Sequence, residues 1–554
     1  MELVSTEEPR AGVSRRGFLG RAGGVLAAAA VGVPATLHAT TRRALAAGCS
    51  ERGPLKGQAR RDAAYDIRLK TADRARSQPL AAPSCDGDED RYPLRTASFS
   101  KGLPHDRNGH VDPVAYTALL TAIETGRNEL YDAIPLGGTR KLTNPHAAMT
   151  YGLEGFDSHD FVVPSPPAFD SAQRASEVVE LYWMALTRDV PFAAYDTDPL
   201  VARAAADLSA MSDFRAPKIG VAVTPATLFR GHTPGDLVGP YVSQFLWKDV
   251  PFGPATISQR YRGGIEGLDF MTAFASWLSV QRGEEQAEGP RETTTRYIRN
   301  GRDLAEWVHR DFPFQAGIMA AQILLAMPGA TDPGNPYVAA KTQDPFSTFG
   351  GPFVLDLVAR VANAALRAAW YQKWALHRTL RPEAFGGRVH NHATGVAAYP
   401  IHDDLLLNSG VLAETRARHK TFLLPIAYAE GSPLHPAYPS GHATFVGACV
   451  TVLKALFNES APITDPVVAG ADGLALTPYT GPALTVGNEL NKLAANVALG
   501  RCTAGVHYRS DAIQGLLLGE AVALRILADI RATLTEPAGA GLSLTRFNGA
   551  TATF

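Results

Sequence analysis

The chain has 554 residues, 45% of them hydrophobic, and sets 53 Lys and Arg against 54 Asp and Glu, a formal net charge of −1. That length holds one large domain or several smaller ones with ample core, and the even balance excludes a nucleic-acid binder that works through a broad basic surface. Any anion site has to come from a few placed charges and not from the global field.

The first element is an address. Ser14-Arg15-Arg16-Gly17-Phe18-Leu19 is a twin-arginine pattern, an apolar run over 22–33 follows, and Ala44-Leu45-Ala46 offers a small-residue cleavage site. Residues 1–46 therefore read as a twin-arginine signal peptide, with a periplasmic or secreted product. The apolar run is too short to span a membrane and no second candidate follows, so no stable membrane insertion is expected. Cys49 and Cys85 lie in polar surroundings, where an oxidising compartment would permit a disulfide. Cys449 falls in an apolar helix, and no CxxC pair argues for zinc. The acidic run 85–90 lacks the loop pattern of a calcium hand and reads as a solvated turn.

Helical signals dominate from about residue 110. Asp112-Pro113 opens a helix to about Gly126, with Pro at the first helical position. Segment 171–187 places Val178, Leu181, Tyr182 and Ala185 on one face, and Asp198-Pro199 opens another helix. Segments 267–281 and 314–327 are apolar enough to be buried. A Pro/Gly-rich stretch, 327–352, divides an N-terminal helical half (47–330) from a C-terminal half (331–554). The second half begins with a long helix over 353–381, and helices follow near 441–457, 487–499 and 511–534. His390-Asn391-His392 reads as loop. Strand-like alternation is scarce, so the expected fold is mainly α, with helices packed as bundles.

Three motifs in the second half carry chemistry. In the first, Lys373 and Arg381 differ by about 80° around a helix, so two long cations can lean toward one point, with His377 between them. Pro382 biases Arg381 out of the helical region and should end the helix. In the second, HPAYPSGHAT at 435–444, Ser440 is a helix N-cap candidate, Gly441 lets a backbone N–H approach a ligand, and His442 sits in the first turn with His435 upstream. In the third, Arg501 can fork onto an oxyanion, His507 can be a nucleophile or a ligand, and Asp511 could orient it from four residues on. The combined inventory suits a tetrahedral oxyanion at a helix N-terminus.

The three motifs resemble those of the type 2 phosphatidic acid phosphatase and vanadium-dependent haloperoxidase superfamily. Its phosphatases space the first motif as Lys-x6-Arg-Pro. Lys373 and Arg381 are one residue further apart, which is similar to the vanadium bromoperoxidases of marine algae and their bacterial relatives. LRPEAFGG at 380–387, HPAYPSGHAT, and Phe99-Ser100-Lys101-Gly102-Leu103-Pro104-His105-Asp106 also resemble that branch. The resemblance spans roughly 60 to 535 and is dense across 370–511.

The resemblance implies a helical-bundle haloperoxidase with its site in the C-terminal bundle and vanadate, vanadium(V), as cofactor. It makes His507 the vanadium ligand and Lys373, Arg381, Arg501, the Ser440 hydroxyl and the Gly441 N–H the holders of the vanadate oxygens. His442 becomes the acid–base catalyst at the apical oxygen, Lys373 polarises peroxide, and Asp511 orients His507 from behind. His435 stands where chloride-oxidising fungal relatives have Phe, which favours bromide, and Trp370 falls where the family lines its halide site. Hydrogen peroxide and halide would then give hypohalous acid, which halogenates small organic acceptors. The algal relatives' assemblies imply a homo-oligomer, a dimer or larger.

Two other functions use the same residues. An exported acid phosphatase would have His507 attack phosphate and His442 protonate the leaving group. A non-catalytic oxyanion-binding protein would need the cradle but not His442. A metal hydrolase is poorer: His390, His392, His402, Asp403 and Asp404 are clustered, but no HExxH spacing appears.

Overall fold

The structure, a computed structural model, describes residues 51–80, 82–536 and 542–554. The twin-arginine segment and Cys49 lie outside them. Cys85, Cys449 and Cys502 are unbridged. The chain divides into two units, Met1–Arg68 and Leu69–Phe554, and the second contains every predicted site residue. Helix α1 (Gly57–Arg76) crosses the division without a buried residue.

The capped helices form where the caps predict them. In α2 (Pro113–Thr125), α3 (Ala172–Thr187) and α4 (Pro199–Ala210), the side chains of Asp112, Ser171 and Asp198 accept from first-turn N–H groups. Helix α3 is buried almost all round, more than its single apolar face predicts, because its charges find partners. Arg174 Nη1 donates to Glu177 at 3.1 Å, and Glu180 receives Arg509 Nε at 2.9 Å. Burial pushes the Glu177 carboxyl up to about 7.

The expected helix at 267–281 shrinks to α5 (Phe274–Gln281). Helix α6 (Gly301–Arg310) was not anticipated, and α7 (Gln315–Ala326) was. The long helix over 353–381 is corrected: α8 (Gly351–Trp370) loosens into a π turn, Tyr371–His377, and stops at Arg378, which is left-handed at φ 35°. Pro382 does not follow the end of a helix but opens a new one, α9 (Pro382–Ala393), with Arg381 extended ahead of it. His390-Asn391-His392 is therefore helical and not loop.

Packing of helix α9 explains the second glycine of LRPEAFGG, Gly387. A Cβ at Gly387 would lie 2.0 Å from Trp277 Cζ2. That indole is buried and pinned, its Nε1 donating to Glu383 O at 2.8 Å. Gly387→Ala is therefore expected to cost roughly 1–3 kcal/mol by overpacking, read as a lower unfolding midpoint in denaturant.

The remaining long helices are α10 (Val411–His419), α11 (Gly441–Leu456), α12 (Val486–Thr503) and α13 (Arg509–Thr533). Helix α11 is the centre of the bundle, packed against α8, α12 and α13, while α6 lies on α12. Among the described residues, strands are confined to three antiparallel pairs: β1 (Val250–Phe252) with β2 (Ala255–Ile257), β3 (Val467–Ala469) with β4 (Leu476–Pro478), and β5 (Ser543–Thr545) with β6 (Thr551–Thr553). Among the described residues no helix is long and apolar enough to cross a membrane.

Candidate active site

Every residue of α11 is buried except His442. Ser440 is its N-cap, and the Ser440 N–H donates to Asp511 O at 2.9 Å, joining the second motif to the third. The α11 N-terminus therefore opens toward the segment between α12 and α13. A Cβ at Gly441 would lie 3.3 Å from the Trp370 ring, so the backbone here packs close to that indole.

Lys373 and Arg381 do converge, but by two chain segments and not along one helix. From the π turn, Lys373 Nζ donates to the carbonyls of Pro436 at 2.7 Å and Ala437 at 2.8 Å. π turns recur at functional sites. Arg381 donates through Nε to His435 O at 2.8 Å and through Nη1 to Val506 O at 2.7 Å. Its Nη1 also reaches His507 Nε2 at 3.1 Å, and its Nη2 reaches His435 Nδ1 at 3.0 Å. Arg381 thus touches both of the other motifs.

The pairing of His507 with Asp511 has a different origin from a helical turn. His507 precedes α13, whose N-cap is Tyr508. Asp511 Oδ2 reaches back to accept from the Tyr508 N–H at 3.1 Å and from His507 Nδ1 at 2.8 Å. Since Arg381 only donates, His507 Nε2 is the acceptor nitrogen, which assigns the tautomer. Burial, then the charges of Arg381, Lys373 and Arg501, hold the imidazole well below its usual range. The ring is neutral, with its Nε2 lone pair aimed into the cradle.

Arg501 completes the set. Its Nη1 donates to Val308 O at 2.7 Å, and its Nε is buried with no acceptor. Elsewhere in the core, Arg174, Arg188, Arg302 and Arg509 each hold a carboxylate. Lys373, Arg381 and Arg501 instead donate to carbonyls, a hydroxyl and imidazole nitrogens. Burial, then the charge of Arg381, pushes the Lys373 ammonium well down. Three converging buried cations beside an unpaired donor fit an oxyanion that accepts from all of them.

His442 stands at the edge of this cradle, with its side chain 24% exposed and its Nε2 3.0 Å from Asp311 Oδ1. Burial lowers its pKa while the Asp311 charge opposes that shift. Asp311, at the C-terminal end of α6, has a fully buried side chain, and sequence reasoning missed it. Only its place after a helix with a basic last turn could have hinted at it. His435 faces Trp370, with ring centroids 4.8 Å apart.

His377 is not between Lys373 and Arg381 in the cradle. It bonds Gln372 Oε1 at 3.2 Å and lies edge-on to Tyr438 at 5.0 Å, behind the second motif. The upstream stretch 99–106 braces the site from outside. Phe99 packs edge-on to Trp374 at 5.6 Å. Lys101 Nζ donates to Glu383 at 2.7 Å, Glu430 O at 2.8 Å and Ser432 O at 2.6 Å. Among the described residues, no group of three or more His, Cys, Asp or Glu is arranged to hold a metal ion.

Comparison with known proteins gives the same picture. The VCPO second helical-bundle domain family matches residues 355–535, a span that holds every cradle residue but neither Asp311 nor Lys101. A vanadium-dependent bromoperoxidase from Corallina pilulifera is 35% identical across 89% of this chain and 98% of its own. The chain belongs to the vanadium-dependent bromoperoxidase family. Another member, from Ascophyllum nodosum, is 38% identical across 79% of this chain and 83% of its own. The homohexameric structure of a second vanadate-dependent bromoperoxidase from Ascophyllum nodosum superposes with a TM-score of 0.85. It is 30% identical and covers 92% of this chain and 95% of that one. The bromoperoxidase fold thus spans nearly the whole chain and extends well before the matched bundle.

Proposed function

We propose that this chain is a vanadate-dependent haloperoxidase that oxidises bromide with hydrogen peroxide. The observation that carries this reading is the gathering of three buried cations around His507, with Arg381 donating to its Nε2 and the charges of Lys373 and Arg501 bearing on its ring, beside a histidine paired with a carboxylate. The overall reaction consumes hydrogen peroxide, bromide and a proton and yields hypobromous acid and water, and the acid then brominates organic acceptors.

When bound, vanadate supplies a Lewis-acidic centre that activates peroxide without changing its own oxidation state. His507 offers Nε2 as its ligand, and the Asp511 carboxylate on Nδ1 keeps that nitrogen unprotonated. Lys373, Arg381 and Arg501 would hold the oxygens of the anion, with the Ser440 hydroxyl and the Gly441 N–H. These donors are fixed in a buried site before the substrate arrives, so little reorganisation is needed as charge develops. His442 takes a proton from hydrogen peroxide and returns it to the product side, at the Nδ1 that Asp311 leaves free. Trp370 and His435 form the wall against which bromide would sit.

Export through the twin-arginine pathway to the periplasm or medium is part of this proposal and rests on Ser14 to Leu19 and the apolar run behind them. So is a homo-oligomer, which the homohexamer of the Ascophyllum nodosum relative supports.

The test is bromination of a phenolic dye by phosphate-free apoprotein with bromide and hydrogen peroxide, before and after addition of orthovanadate. Activity that appears only with vanadate is the expected result. A folded protein that binds vanadate, fails to brominate and hydrolyses a phosphate ester would replace this reading with the phosphatase.

A further inference from the structure

Arg501, like Lys373, hydrogen-bonds no histidine; its partners are Val308 O and Tyr428. Its guanidinium carbon lies 5.4 Å over the centroid of the Tyr428 ring, and its Nη1 is 3.4 Å from the Tyr428 hydroxyl. Tyr428 is 2% exposed, and its hydroxyl donates to Ala305 O at 2.6 Å. The ring is also stacked on His309, centroid to centroid at 3.8 Å and 11° from parallel. His309 is held in turn by Glu430, at 2.6 Å from Nε2, and by Glu306, at 3.5 Å from Nδ1.

His309 stacks on the Tyr428 ring, and the Arg501 guanidinium lies over that ring and near its hydroxyl. The ring face attracts a cation, and the stacked imidazole stops the ring from turning away. The tyrosine comes from the loop that Lys101 pins at Glu430 O and Ser432 O. The histidine and two carbonyls, Ala305 O and Val308 O, come from α6. A flexible cation with an unpaired Nε therefore has a backstop built from two separate chain segments.

We infer that Tyr428, clamped by His309, is the positioning residue that holds Arg501 in place for the oxyanion. This rests on the proposal that the cradle takes vanadate. It predicts that loss of the ring weakens anion binding through Arg501 and through no other group.

The experiment is calorimetric titration of phosphate-free full-length apoprotein with orthovanadate. Tyr428→Leu is expected to raise the dissociation constant about tenfold, the worth of one desolvated cation–π contact. Tyr428→Phe, which keeps the ring, should stay within about twofold. In an Arg501→Gln background the added Tyr428→Leu should change binding by less than about twofold, because interacting residues are not additive. Should Tyr428→Leu fail to fold, His309→Ala removes the clamp from the solvent side and is expected to weaken binding about threefold.

Wild-type protein that does not bind vanadate would overturn the functional proposal itself. Wild type that binds, with folded Tyr428→Leu or His309→Ala binding equally well, would overturn this inference alone. So would a loss of the same size in the Arg501→Gln background, which would mark Tyr428 as ordinary packing.

Discussion

His507→Ala is expected to leave a folded protein that no longer retains vanadate, with a dissociation constant raised on the order of a thousandfold. The substitution removes the unprotonated Nε2 that Asp511 and Arg381 define between them. Loss of a supporting partner around a metal ligand costs about 10–100-fold, and loss of the ligand itself should exceed that. Asp511→Asn gives the comparison: it keeps the shape but not the fixed tautomer, and should fall in the 10–100-fold range. Equilibrium dialysis of each variant against orthovanadate reads both effects. Retention of vanadate by His507→Ala at near wild-type affinity would show that the cations alone hold the anion.

His442→Ala should do the opposite: bind vanadate nearly as well and turn over about a hundred- to ten-thousandfold more slowly, the range for a lost acid–base group. The pH profile of bromide oxidation adds a sign. Burial holds His442 below the ordinary imidazole value, so the neutral base persists into mildly acidic solution and the acid limb lies low. The Asp311 charge works against that depression. Asp311→Asn removes an interaction that favours the imidazolium, so the acid limb should move to still lower pH. Maximal rate should fall as well, because the ring loses the partner that fixes its orientation. A limb that stays in place, or moves up, would show that His442 is not the titrating base.

The cradle was legible in the sequence because each motif is local and chemically rare. Arg381-Pro382, Ser440-Gly441-His442 and His507 with Asp511 keep their meaning whatever the intervening chain does. Two local expectations failed for physical reasons. Lys373 and Arg381 were placed on one helix by period, but a π turn and a left-handed Arg378 intervene, and the two side chains meet through tertiary packing. His390-Asn391-His392, expected as loop, are helical, although Gly386, Gly387 and Asn391 nearby are weak helix formers. At Gly387 the requirement for Trp277 to pack closely overrides that preference. Asp311 and Tyr428 were invisible for a third reason. An acid after a helix and a tyrosine in a loop are ordinary, and only their burial against His442 and Arg501 makes them part of the site.

Helix α6 ends between Val308, whose carbonyl holds Arg501, and Asp311, whose carboxylate holds His442. The Asp311 N–H donates to Trp307 O at 3.1 Å, which closes that end of the helix. Charge stabilisation and proton transfer must act on one small anion at the same moment, so their spacing has to be kept to a fraction of a bond length. This chain measures that spacing with a single ruler three residues long. Breathing of the bundle that shifts α6 as a body carries the Arg501 side and the His442 side together. The contacts of Arg501 and His442 then change in step and not one at a time.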